Sequence, residues 1–138
     1  MILPFTLQRM VAGRLIYVAG PYRADTEAER LLNVRRACRV ANAVMLAGGI
    51  PIVVHPAIYH EVYGPSDDAD AQQRERGVAN TLALALYVRN AGGACVTILR
   101  EDGSLSQGTK DEAALFEAHN VYPLFPFEIY LPAQGQVP

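Results

Sequence analysis

The sequence predicts an α/β fold: a small, mainly parallel sheet of four to five strands with helices on both faces. Three observations predict it. Short apolar runs recur, each closed by Gly, Pro or a polar turn, as strands buried on both faces require. Longer segments with helical spacing lie between them. Gly48-Gly49 and Gly92-Gly93 end two of those segments, where glycine can take the left-handed conformation that stops a helix.

The first run, Leu15 to Ala19, is a strand closed by Gly20-Pro21. Thr26 and Glu29 then form a capping-box pattern, with Asp25 as an alternative cap, and open a helix that runs to about Ala47. Leu31, Val34, Cys38, Ala41 and Met45 recur along it at helical spacing, while Arg30, Arg35, Arg36 and Arg39 take other positions. Ile50 to Val54 is the second strand, ended by His55-Pro56. Ala57 to Asp70 reads as a loop centred on Gly64 to Asp68. Ala71 to Asn90 is a helix on length and alanine content, although Leu82, Leu84, Leu86 and Val88 alternate locally. Ala94 to Leu99 is the third strand, followed by a turn at Asp102-Gly103 and a helix from Thr109 to about His119. Val121 to Phe125, interrupted by Pro123, is the fourth strand. Residues 1–138 read as one domain with a core over about 15–125 and an irregular tail over 126–138; Met1 to Met10 receives no element.

Composition narrows the function. A formal charge of −2, a single lysine at Lys110 and no Lys/Arg run argue against a polynucleotide partner. No apolar run reaches the length of a membrane span, and the first ten residues lack a leader pattern, so a cytoplasmic protein with no membrane partner is expected. Cys38 and Cys95 lie in apolar patterns and read as reduced core residues. No metal spacing is present, and neither a metal nor a cofactor is expected.

In parallel α/β sheets ligands bind beyond the carboxyl ends of the strands, which directs attention to the loops after Ala19 and Leu99. In the first, Gly20 permits close approach of backbone to a ligand, and Arg23 beside a helix start suits an anion; a plain turn with a solvated arginine is the alternative. In the second, Ser106 and the N–H groups around Gly108 and Thr109 suit a phosphate or a sugar hydroxyl. Glu112 is expected in the first turn of the following helix, held ionised by the helix dipole. An ionised carboxylate beside an anchored sugar can attack an anomeric carbon; a merely favourable first-turn charge is the alternative. His55, at a strand end, can face a ligand; His60 and His119 have no metal spacing. Asp67, Asp68 and Asp70 form an acidic cluster whose alternatives are solvation or a divalent ion.

Ile16-Tyr17-Val18-Ala19-Gly20-Pro21-Tyr22-Arg23 near the start, with Ser106-x-Gly108-x-x-x-Glu112 near the end, resembles the nucleoside 2-deoxyribosyltransferase superfamily, within it the 2′-deoxynucleoside 5′-phosphate N-hydrolases. The likeness spans roughly Leu15 to Phe125. It implies a flavodoxin-like fold and a small-molecule nucleotide or nucleoside as ligand. It also implies a homodimer or higher homo-oligomer whose site a neighbouring subunit often completes. By the same resemblance Glu112 is the nucleophile on C1′, Tyr17 positions it, and Gly20, Arg23, Ser106 and Gly108 hold the 5′ end of the sugar, with Arg23 favouring a nucleotide. One position departs. The family carries an aspartate on the helix before the third strand; a gapless count reaches Leu84, and Asn80 one turn earlier is the nearest polar candidate. His55 or an acid from Asp67 to Asp70 are alternatives for that role. The expected function is N-glycosidase hydrolysis of a nucleoside 5′-monophosphate, with deoxyribosyl transfer and nucleotide binding without cleavage as alternatives.

Overall fold

In the computed structural model, residues 1–53 and 71–131 are described. The described elements are α1 (Phe5–Val11), β1 (Leu15–Ala19), α2 (Glu27–Leu46), β2 (Ile50–Ile52), α3 (Ala71–Asn90), β3 (Ala94–Ile98), α4 (Gln107–Ala113) and β4 (Val121–Leu124). Short 3₁₀ turns at Ala118–Asn120 and Pro126–Glu128 flank β4. The four strands form one all-parallel sheet in the order β2-β1-β3-β4, with Tyr17 beside Ile52 on one side and Cys95 on the other. With helices on both faces, this is a flavodoxin-like three-layer sandwich.

The alternation of β1 divides its side chains between two cores. Ile16 and Val18 pack with Ala37, Val40, Ala43 and Val44 of α2, together with Ile98 of β3. Tyr17 and Ala19 face the other way, with Ala85 and Val88 of α3, Cys95 of β3 and Phe116. α2 and α3 therefore cover opposite faces. The strand order reverses direction between β1 and β3, so the loops after these two strands part at the sheet edge and leave a crevice.

Local chemistry sets the boundaries. Thr26 caps α2, its side chain accepting from Glu29 N–H at 3.1 Å. Gly48 and Gly92 follow α2 and α3 with φ of +87° and +80°, which a side chain would strain.

Several expectations are corrected. α1 was not anticipated; Leu3, Leu7 and Val11 recur every four residues and are buried in the α2-side core. β2 ends at Ile52 and not Val54, β3 at Ile98 and not Leu99, and β4 at Leu124 and not Phe125. The last helix begins at Gln107 and not Thr109, because Ser106 caps it, and ends at Ala113 and not near His119. There Leu115 and Phe116 N–H bond to the carbonyls of Glu112 and Ala113, tightening the chain out of the helix and carrying Phe116 under Tyr17. Cys95 is buried as expected, but Cys38 is exposed, since it lies off the stripe of α2 that meets the sheet. No described helix is long and apolar enough to cross a membrane.

Candidate functional site

The site is built from β1, β3 and α4 on the α3 side of the sheet. Tyr17 comes from the middle of β1, is 1% exposed, and has its ring 6.4 Å from that of Phe116 at a tilt of 36°. Its hydroxyl lies 3.4 Å from the Thr81 carbonyl of α3, a long bond whose single proton is shared with a second acceptor. That partner is Glu112, whose carboxyl takes a hydrogen bond from Tyr17.

Glu112 is 2% exposed, and its Oε1 has no hydrogen-bond partner among the described residues. It lies in the second turn of α4 and not the first, because Ser106 starts the helix earlier than expected. Proximity to the amino end of the dipole therefore does not hold it ionised. Burial pushes its pKa up from 4.5 to about 7; the Tyr17 hydrogen bond opposes the rise and neighbouring Asp111 adds to it. The carboxyl folds back toward Gly108, where a Cβ would lie 3.9 Å from Oε1. Cys95 lies beneath. Burial first, and the Glu112 charge second, push its thiol up to about 12, so it stays protonated and is no nucleophile.

Burying an unpartnered carboxylate oxygen costs roughly 1–3 kcal/mol. Such a group with a pKa near neutrality is what nucleophilic or proton-transfer chemistry uses. Above its pKa it is an anion with one oxygen unengaged; below, it is an acid with a proton to give.

The remaining predicted residues fall into three groups. Ser106 and Thr109 hold the loop: Ser106 Oγ accepts from Thr109 N–H at 3.2 Å, and the two hydroxyls are 2.6 Å apart. Thr109 is fully buried, so its hydroxyl serves this turn. Gly20 makes its close approach to β3: a Cβ there would meet Ile98 Cβ at 3.2 Å and Cδ1 at 3.3 Å. Arg23 is exposed and lines a cleft of about 360 Å³ in the crevice between the loops after β1 and β3. Glu112 and Tyr17 do not line that cleft.

Asn80 is exposed on α3, immediately before Thr81. Leu84 is half-buried against the Tyr17 core. The buried positions on the described part of α3 are Gly77, Thr81, Ala85 and Val88, so no acid faces Glu112 from them. His55, His60, Asp67, Asp68 and Asp70 lie outside the described residues. Among the described residues no cluster of three or more His, Cys, Asp or Glu is placed to hold a metal ion.

Arg36, Arg100 and Glu101, which also line the cleft, were not singled out from the sequence. The available signal was the stripe Glu29, Leu32, Asn33, Arg36 at helical spacing, which brings one flank of α2 against the loop after β3.

Comparison of the chain with protein-family models, with curated proteins and with solved structures finds no match.

Proposed function

We propose that the protein is an N-glycosidase that cleaves the base–sugar bond of a nucleoside 5′-monophosphate, with Glu112 as nucleophile. One observation carries the reading: a buried carboxyl, hydrogen-bonded by Tyr17, keeps one oxygen without a partner among the described residues, on the helix that follows β3. A carboxyl whose only task was to start a helix would be exposed near the first turn.

In this reading the Glu112 carboxylate attacks C1′ as the bond to the base breaks through an oxocarbenium-like transition state. The bonding pair of the broken bond leaves with the base, which takes up a proton, and the sugar is held as an ester on Glu112. Water then attacks the ester and restores the carboxylate. If a second base attacks instead, the same centre is a deoxyribosyltransferase. Tyr17 holds the carboxylate in line by donating to one oxygen. Arg23 takes the 5′-phosphate by charge-assisted hydrogen bonds. By the same family likeness, a second copy of the chain completes the site in a homo-oligomer.

A second reading has its own observation. The buried face of the described part of α3 offers Glu112 no acid to protonate a leaving base. General acid help is worth on the order of 10²–10⁴ in rate. Without it, the protein binds nucleotides through the cleft that Arg23 lines and does not cleave them.

The test is incubation with a panel of ribo- and deoxyribonucleoside 5′-monophosphates, followed by assay of released base in parent and Glu112→Gln. Base release by the parent alone supports the glycosidase. Binding without release by the parent selects the second reading.

A further inference from the structure

The cleft holds an arginine that is only half used. Arg36, on α2, is largely buried, its side chain 17% exposed. Its Nη2 donates to Glu101 Oε1 at 2.7 Å, while its Nε is buried with no hydrogen-bond partner among the described residues. Nε and Nη2 form one edge of the guanidinium, whose two parallel N–H groups match two oxygens of a single oxyanion. Glu101 fills one of the two places. It is held loosely, since its side chain is 75% exposed and the pair reaches across the cleft mouth from helix to loop. An exposed partner of this kind contributes little to stability.

The rest of the cleft has the same character. Arg23 comes from the loop after β1 and Arg100 from the loop after β3, so three guanidiniums meet two carboxylates, Glu29 and Glu101. Removing Glu101 from the balance leaves three positive charges against one negative. Asn33 adds a neutral polar side chain, although its amide already donates to the Tyr22 carbonyl at 3.2 Å. Leu32 and Ile98 give the cleft an apolar wall. An arginine cannot escape burial by losing its proton, so its free N–H must be met by an acceptor.

We propose that this cleft binds the phosphate group of a small phosphorylated molecule, with Arg36 as the bidentate ligand and Glu101 as a resident counter-ion that the phosphate displaces. Two phosphate oxygens take Arg36 Nε and Nη2, and Arg23 and Arg100 neutralise the remaining charge. Glu101, released, turns to solvent. The cleft thus sets a threshold: a ligand with one weak negative charge does not outcompete Glu101, whereas a phosphate monoester dianion does. The inference shares Arg23 with the proposed function but does not depend on chemistry at Glu112.

The test is titration of the full chain with inorganic phosphate and with adenosine 5′-monophosphate, followed by calorimetry at low ionic strength. Adenosine is the uncharged control. Glu101→Gln removes the competitor, and phosphate should bind about 3- to 10-fold more tightly, a gain of roughly 1 kcal/mol. Arg36→Gln should weaken phosphate binding at least tenfold, which is about 1.4 kcal/mol or more. Glu101 is on the surface, so its variant reports even if Arg36→Gln does not fold. Adenosine binding, where present, should be unchanged in Glu101→Gln. Tightening for the monophosphate but not for inorganic phosphate would confine the site to nucleotides and still support it. Weaker or unchanged binding of both inorganic phosphate and adenosine 5′-monophosphate in Glu101→Gln would overturn the proposal. Absence of base release by the parent with phosphate binding intact separates failure of the glycosidase reading from failure of this one.

Discussion

Two buried polar atoms, Glu112 Oε1 on the α4 side of the sheet and Arg36 Nε on the α2 side, have no hydrogen-bond partner among the described residues. They differ in what burial does to them. The Glu112 carboxyl sits against apolar Cys95 and the Tyr17 core and responds by shifting toward neutrality, to about 7. The Arg36 guanidinium cannot do this and keeps its charge by pairing with an exposed glutamate across an open cleft. A carboxyl poised between two protonation states suits bond-making, whereas a permanent cation with a displaceable partner suits recognition. The fold places them on opposite faces of the sheet because β1 leads to α2 on one face while β3 leads to α4 on the other.

The largest expected effect separates these roles. Glu112→Gln should lower turnover by about 10³-fold or more, since an amide cannot stabilise the developing positive charge. Nucleotide binding should stay within a few-fold of the parent in the same equilibrium titration. Equal losses in both would erase the distinction between the two sides.

The next effect is on stability. Glu112 holds its proton more tightly folded than unfolded, so the folded protein binds more protons between the ordinary value of 4.5 and about 7. Stability from this group is therefore fully present below 4.5, falls as pH rises through that window, and levels off above about 7. The loss is on the order of 3 kcal/mol. Denaturant melts of parent and Glu112→Gln at acid and alkaline pH isolate it, because other groups cancel in the difference. The variant should gain on the parent as pH rises; a pH-independent difference would mean that burial does not perturb the carboxyl.

Arg23→Ala should weaken nucleotide binding about 10- to 100-fold and nucleoside binding hardly at all, as loss of charge-assisted bonds to phosphate predicts. Equal losses for the two ligands would return Arg23 to an ordinary turn. Tyr17→Phe removes the hydrogen bond that opposes the rise in Glu112 pKa. Its pH–rate profile should shift to higher pH, with turnover down about tenfold near neutrality. A fall in rate with no shift would assign Tyr17 to packing alone.

These roles were unequally legible in the chain. β1 and α3 follow the expected bounds, Leu15–Ala19 and Ala71–Asn90, because apolar runs and glycine stops are local signals. α1 is not evident from the sequence, although Leu3 just before it and Leu7 and Val11 within it recur every four residues, because a short helix declares itself only through the core it meets. The pairing of Tyr17 with Glu112 is legible only through a resemblance between motifs, and the rise in the Glu112 pKa is not legible at all. The expected ionised state depends on where α4 begins, and Ser106, expected to hold a ligand, also caps that helix. The stripe Glu29, Leu32, Asn33, Arg36 places Arg36 on one flank of α2, but that this flank meets the loop after β3, far along the chain, is not legible in the sequence.

The smallest effect tests the geometry of the edge itself. Gly20→Ala places a methyl 3.2 Å from Ile98 Cβ, in a wall shared by the cleft. It should destabilise by about 1 kcal/mol, since the neighbour must give by only a few tenths of an ångström. A thermal melt checks this, and no change would mean that the two strand ends are not tightly packed.

The most direct test of the central claim is the intact mass of the protein, quenched within one turnover of the best nucleotide from the panel. The account predicts an added sugar-phosphate mass on the peptide that carries Glu112, absent in Glu112→Gln. Base release by the parent with no adduct, together with sustained turnover by Glu112→Gln, would contradict it.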